Sequence, residues 1–183
     1  MIHALLLSIS LMLAPAGPHK PAPASIYDFK VKALSGGTID FSQFKGQKIL
    51  VVNTASLCGF TPQYADLEKL YQQFHGKLVI VGFPANNFAH QEPGSNKEIS
   101  AFCTNEYHIT FPMAAKVSVK GSDISPFYRW LEAEAAAKGL KPSVPQWNFH
   151  KYLFDEKGDL VAVFSSPVNP MSPEVVQAVA KAW

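Results

Sequence analysis

Apolar positions along this chain fall into two alternating patterns. Lys48 to Asn53 is a continuous β-branched run bounded by polar residues, as expected of a strand buried on both faces, and Leu78 to Pro84 is a second. Between them, Tyr64, Leu67, Leu70, Tyr71 and Phe74 recur at three- and four-residue spacing, predicting a helix from Pro62 to Phe74 that Gly76 closes. Ser95-Asn96-Lys97-Glu98 is a capping box opening a helix through about Tyr107. A third strand is expected near Lys116 to Val119. Ser125-Pro126 opens a helix to about Lys138 with Phe127, Trp130 and Leu131 as its inner face. Phe149 to Phe154 and Leu160 to Ser165 read as a hairpin across Glu156-Lys157-Gly158-Asp159, and Ser172-Pro173-Glu174 caps a last helix reaching Trp183. Ahead of all these, Ile26 to Val31 and the Gly36-Gly37 turn predict an N-terminal β-hairpin leading to Asp40. Strands and helices in this order make an α/β fold with a central mixed β-sheet flanked by helices.

Composition narrows the frame. The chain of 183 residues, 48% hydrophobic, suits one well-packed core and is short for two domains. Its formal charge is only +2 and its basic residues are scattered, Arg129 being the single arginine. A phosphate-tracking surface is therefore not indicated, and nucleic acid is excluded as an expected partner. Ala4 to Leu13 has the length of a signal h-region, far below the roughly 20 residues of a spanning helix, and Ala14-Pro15-Ala16 offers small residues for cleavage. Residues 1–16 are read as an export signal to a periplasm, without stable membrane insertion, and 17–25 as a Pro/Ala-rich tether. The folded domain is expected over 26–183. Cleavage after Ala24 and a buried N-terminal helix are the alternatives for this stretch.

Candidate chemistry starts at Cys58, in Val51-Val52-Asn53-Thr54-Ala55-Ser56-Leu57-Cys58-Gly59-Phe60-Thr61-Pro62. An apolar strand stops here and a helix begins a few residues later, with Thr61 the expected N-cap and Pro62 suited to the first helical position. The context reads as a thiol on display ahead of a helix N-terminus, where unpaired amides and the macrodipole favour the nucleophilic thiolate. A buried structural cysteine is the competing reading. Cys103 falls on a helical stripe with Ile99, Phe102 and Tyr107, and from spacing alone is a small apolar filler of the core. His75, His90, His108 and His150 lack ligand spacing with each other or with the cysteines, and read as surface or turn residues rather than a metal site.

Four separated blocks carry a resemblance. Asn53-Thr54-Ala55-Ser56-Leu57-Cys58-Gly59-Phe60-Thr61, Gly82-Phe83-Pro84-Ala85-Asn86-Asn87-Phe88, Gln91-Glu92-Pro93-Gly94-Ser95-Asn96 and Trp147-Asn148-Phe149-His150-Lys151-Tyr152-Leu153 resemble the glutathione peroxidase family in content and order. The resemblance implies a thioredoxin-like fold and a peroxidatic Cys58, standing where other members carry selenocysteine, assisted by Gln91, Trp147 and Asn148. It implies no cofactor. A thiolate attacking a hydroperoxide needs donors that stabilise sulfur and oxygen without adding charge, and Gln, Trp and Asn supply such N–H groups. In the cysteine-containing, thioredoxin-dependent members the resolving cysteine lies in the helix that here holds Ala101-Phe102-Cys103, ahead of Thr110-Phe111-Pro112. The implied cycle runs through a Cys58 sulfenic acid and a Cys58–Cys103 disulfide, recycled by a thioredoxin-like dithiol, with the Cys103 helix unwinding on the way.

Departures from the family pattern bear on the partner. Ala85 and Asn87 replace a cysteine and a glutamine common in their block, and neither is part of the implied cycle. The short stretch between Val119 and Trp147 lacks the insertion that builds tetramers, which implies a monomer with an open site admitting lipid hydroperoxides. A single arginine removes the basic cluster that would hold glutathione carboxylates, so a dithiol protein is expected over glutathione. Neighbouring readings fit less well. An exported thiol-disulfide oxidoreductase needs Cys-x-x-Cys, where this chain has Thr61, and the wider peroxiredoxin pattern places Thr and Pro where this chain has Ala55 and Val51. A peroxide-sensing relay through the same two cysteines uses the same chemistry and stays open, as does a single-cysteine, glutathione-using peroxidase.

Overall fold

In the computed structural model Pro23 and residues 25–183 are described; the expected export signal and, but for Pro23 and Ser25, the tether lie outside them. The organising element is a strand over Lys48–Thr54 (β3), preceded by a small hairpin of Lys30–Lys32 (β1) and Thr38–Asp40 (β2). All seven residues of β3 are buried. It pairs in parallel with Leu78–Pro84 (β4), from Lys48 opposite Leu78 to Thr54 opposite Pro84, and antiparallel with Lys151–Phe154 (β5). Leu160–Phe164 (β6) closes a four-stranded sheet in the order β4-β3-β5-β6. The helices are Gln63–Gln73 (α1), Asn96–Tyr107 (α2), Pro126–Ala137 (α3) and Pro173–Ala180 (α4). Because a parallel pair needs a crossover, α1 spans the link from β3 to β4.

Alternation along β3 sorts the core into two layers, since successive strand side chains point to opposite faces. Ile49 and Val51 join Val79, Val81, Tyr152 and Phe154 under Phe127, Tyr128 and Leu131 of α3. Leu50 and Val52 join Ile80 and Leu153 under Leu67 and Leu70 of α1, Ile99 of α2, and Val175 and Val179 of α4. Helices on both faces of a mixed sheet, with an N-terminal hairpin, make the thioredoxin-like fold that the element order predicts.

Several boundaries differ from the sequence reading. Ile26–Asp28 is a 3-10 turn capped by Ser25, so the hairpin starts only at Lys30. No strand forms at Lys116 to Val119. The chain instead follows the β4 edge slightly earlier, with Gly82 N–H donating to Pro112 O, Ala114 N–H to Gly82 O and Val117 N–H to Pro84 O. On either side of Val117, side chains take the backbone donors, Asn96 Oδ1 accepting from Lys116 N–H and Asn87 Oδ1 from Val119 N–H, so no ladder is needed. The approach is tight at Gly82, where a Cβ would run into the Met113 sulfur. Tyr128 joins Phe127 and Leu131 on the buried face of α3, whereas Trp130 is only half-buried. The last helix stops at Ala180, short of Trp183.

Candidate active site

Cys58 stands in the turn linking β3 to α1, at the carboxyl end of the central strand. The expected helix follows, but Thr61 is not its cap: the capping position falls on Pro62, without a side-chain bond. The Thr61 hydroxyl instead closes the turn on itself, accepting from Cys58 N–H at 3.0 Å and donating to Ala55 O at 2.8 Å. Phe60 N–H donates to the Cys58 sulfur at 3.4 Å, a backbone contact that fixes the thiol within the turn. The thiol is less displayed than the sequence suggests, being only 7% exposed, while its neighbour Leu57 is 65% exposed.

Asn53 gathers the other loops around this turn. A polar residue buried inside an apolar strand needs partners, and this one finds them across the sheet. Its Nδ2 donates to Trp147 O at 3.1 Å, its Oδ1 accepts from His150 N–H at 3.0 Å, and its own carbonyl accepts from Phe149 N–H at 2.6 Å. These bonds fasten 147–150 to the end of β3, with Phe149 in the left-handed region at φ 66°. Asn148 Nδ2 then donates to Gln91 Oε1 at 3.0 Å, and Gln91 O accepts from Leu57 N–H at 3.0 Å. Gln91 and Asn148 are thus directly paired, and the Gln91 backbone sits against the residue preceding Cys58. Their bond spends the Gln91 carbonyl and leaves its NH2 group as a donor. The buried Asn148 Oδ1 has no hydrogen-bond partner. The Trp147 ring, 36% exposed, packs on Phe88 at 5.5 Å between centroids.

Cys103 is on α2, 3% exposed, and shares one buried cluster with Cys58, Ala55, Tyr64 and Phe149. Both cysteines are free thiols. Burial pushes the Cys103 thiol up to about 11, with the Glu92 carboxylate adding to the rise and the Tyr64 hydroxyl opposing it. Tyr64 is fully buried, its ring edge-on to Phe149 at 5.4 Å, and its hydroxyl lacks a well-formed hydrogen bond. Glu92 is 1% exposed; its Oε1 accepts from the Ser56 hydroxyl at 2.8 Å while Oε2 has no partner, and burial raises its pKa. A cavity of about 270 Å³ lined by Ser56, Leu57, Glu92, Pro93, Ile99 and Phe102 separates the Cys58 loop from α2.

Two residues next to the site are buried, which their local sequence does not show. His150 is fully buried rather than at the surface, packed against the Tyr152 ring at 4.8 Å, and burial first, then the Lys151 charge, lower its pKa to about 4. Lys151, also fully buried, is lowered to about 7 by desolvation. A charged residue inside an apolar strand pattern was the available signal for Lys151, as a polar one was for Asn53. Among the described residues no group of three or more His, Cys, Asp or Glu side chains is gathered to hold a metal ion.

Known proteins resemble this chain over most of its length. The sequence model described as glutathione peroxidase matches residues 26–132. The chain is 44% identical over 145 residues to the glutathione peroxidase-like peroxiredoxin gpx1 of Schizosaccharomyces pombe, covering 79% of this chain and 90% of that protein. The crystal structure of T. cruzi GPX1 superposes with a TM-score of 0.64 at 31% identity, over 84% of this chain and 92% of that one. A thioredoxin family thiol:disulfide interchange protein from Chlorobium tepidum gives a TM-score of 0.62 at 14% identity, over 90% of this chain and 100% of the other, a likeness of fold alone.

Proposed function

Because this chain belongs to the glutathione peroxidase family, we propose that it is a thiol peroxidase in which Cys58 reduces hydrogen peroxide and organic or lipid hydroperoxides. The observation that carries this is the setting of Cys58, a thiol in a hydrogen-bonded turn at the strand end beside the paired Gln91 and Asn148. The thiolate attacks one peroxide oxygen, the O–O bond breaks, and the departing alkoxide or hydroxide takes a proton to leave as alcohol or water. Gln91, Trp147 and Asn148 supply N–H donors for the charge that develops. The resulting sulfenic acid condenses with the Cys103 thiol, releasing water and forming a disulfide that an external dithiol reduces.

A thioredoxin-like protein as the reductant is supported by relatives named glutathione peroxidase-like peroxiredoxins and by the second cysteine lying in the same buried cluster. Glutathione is the weaker candidate, since Arg129 alone cannot form a carboxylate-binding cluster. Residues 1–16 would direct export to a periplasm and 17–25 would tether a monomeric domain, a reading that rests on the apolar run Ala4 to Leu13 and the Pro/Ala-rich segment after it. Among the described residues no helix is long and apolar enough to cross a membrane.

The deciding experiment is stopped-flow oxidation of the reduced protein by hydrogen peroxide and by a lipid hydroperoxide, followed by reduction with thioredoxin or glutathione. Cys58→Ser should abolish peroxide reduction; retained activity assigns the nucleophile elsewhere. A Cys58–glutathione adduct as the main turnover species, with Cys103 still a thiol, would instead favour the single-cysteine cycle.

A further inference from the structure

Lys151 presents an energetic problem that its place in the fold answers. Its side chain is fully buried on β5, and no ion pair of the described residues reaches its ammonium. Burying an unpaired charge is costly unless strong hydrogen bonds offset it. The ammonium makes two short ones, to Phe149 O at 2.7 Å and to Val168 O at 2.8 Å. Charge-assisted bonds of this kind are roughly twice as strong as neutral ones. Phe149 is the left-handed residue next to Asn148, so the bond falls where the backbone conformation is least favourable by itself.

The second carbonyl leads back to the nucleophile. Val168 lies in the loop between β6 and α4, and that loop is fastened to the first turn of α1. Gln63 Nε2 donates to Ser166 O at 2.8 Å and Asn169 Nδ2 to Asp66 Oδ2 at 2.6 Å. The Gln63 backbone is in turn tied to the Cys58 turn, its N–H donating to Phe60 O at 2.9 Å. On the other side, Asn148 bonds Gln91, whose backbone holds Leu57. A closed circuit results: Cys58 turn, α1, the 166–169 loop, Lys151, Phe149, Asn148, Gln91, and Leu57 beside Cys58. Lys151 is its only cationic link and the point where the segment before β5 and the loop after β6 converge on one atom.

We propose that Lys151 is a positioning residue for peroxide reduction, its ammonium fixing the Trp147-Asn148-Phe149 segment relative to the Cys58 turn so that Asn148 and its partner Gln91 meet the reacting sulfur. The inference rests on the peroxidase reading above. Desolvation, with no counter-charge in reach, lowers its pKa to about 7.

A double-mutant cycle on the full-length protein tests it. Lys151→Met and Asn148→Ala should each slow Cys58 oxidation by hydrogen peroxide about tenfold, as expected for loss of a preorganised donor. If Lys151 acts through Asn148, the double variant should be about as slow as either single one, not about a hundredfold slower. Melting temperatures of the same variants separate this from bulk destabilisation, which lowers stability without coupling the two rates. Should Lys151→Met not fold, Gln63→Met cuts the same circuit one link farther on and should couple to Asn148→Ala in the same way. Multiplied penalties, or a Lys151→Met rate within about twofold of wild type, overturn the inference alone. An Asn148→Ala protein that oxidises at the wild-type rate overturns the site assignment and the inference with it.

Discussion

Four side chains near Cys58 act by three different physical routes. In the proposed site Gln91 acts through its amide, so Gln91→Ala should slow Cys58 oxidation about tenfold or more with little change in melting temperature, read by stopped flow and thermal unfolding. Asn53 works through architecture. Asn53→Leu strands the Trp147 carbonyl and the His150 amide in a buried place, and should cost about 3 kcal/mol in denaturant unfolding as well as activity. His150 and Lys151 act through proton linkage, since both are buried away from counter-charges. The folded-state pKa of His150, about 4, lies below its ordinary 6.5, so the unfolded chain binds the extra proton and stability falls as pH drops from 6.5 through 4. Lys151 is depressed from 10.5 to about 7, so its contribution is full above 10.5 and is lost as pH falls through 7. Cys103, raised from 9 to about 11, acts in the opposite sense only above pH 9. Unfolding free energies should therefore rise between pH 7 and 9, and Lys151→Met should flatten that rise.

At the scale of elements, α2 has to be both stable and expendable. Its capping box is complete: Ser95 Oγ accepts from Glu98 N–H, and the Glu98 carboxylate accepts from Ser95 N–H at 2.7 Å. Cys103 lies on its buried face, so in the proposed cycle the helix would open for this thiol to reach a sulfenic acid at Cys58. Ser95→Ala should lower helix stability by about 1 kcal/mol. If opening precedes disulfide formation, the same change should speed the resolving step up to about fivefold. Rapid-quench thiol counting after one equivalent of peroxide measures this; an unchanged or slower step means that α2 opening does not limit resolution. Amide exchange across Asn96–Tyr107 should be faster in the oxidised protein.

For the molecule as a whole, the cycle predicts a change that stays within one chain. One equivalent of peroxide should consume both thiols without shifting the sedimentation coefficient from that of a monomer, whereas an intermolecular disulfide would double the mass. Reduction should be much faster with thioredoxin than with glutathione at equal thiol concentration. If residues 1–16 direct export, that demand falls on an oxidising compartment, where the donor must itself be kept reduced. Cell fractionation with and without residues 1–16 tests the address directly: full-length protein retained in the cytosol would remove the export reading.

Local chemistry made much of this protein legible in one dimension. β3 and β4 are continuous apolar runs whose hydrophobicity leaves no alternative to burial, and α2 announces itself through the Ser95 and Glu98 box, because both signals depend on near neighbours. The four motif blocks pointed to Cys58, Gln91, Trp147 and Asn148 together, and the separate pattern Ala101-Phe102-Cys103 ahead of Thr110-Phe111-Pro112 pointed to Cys103. Contacts between distant segments were not legible. Thr61 has the residue type of a helix cap, but its hydroxyl is claimed by Ala55 and Cys58, a competition only the folded turn creates. Lys116 to Val119 has strand-like composition, yet Asn87 and Asn96 take two of its backbone donors from elsewhere in the chain. His150 was expected at the surface because nothing in its flanks shows that Asn53 draws that segment onto the sheet. Propensity and pattern are set by residues a few positions apart and so were fixed by sequence. The depth of Cys58, the burial of His150 and Lys151 and the circuit around the thiol depend on chain segments up to about a hundred residues apart, and only tertiary packing determines which of them meet.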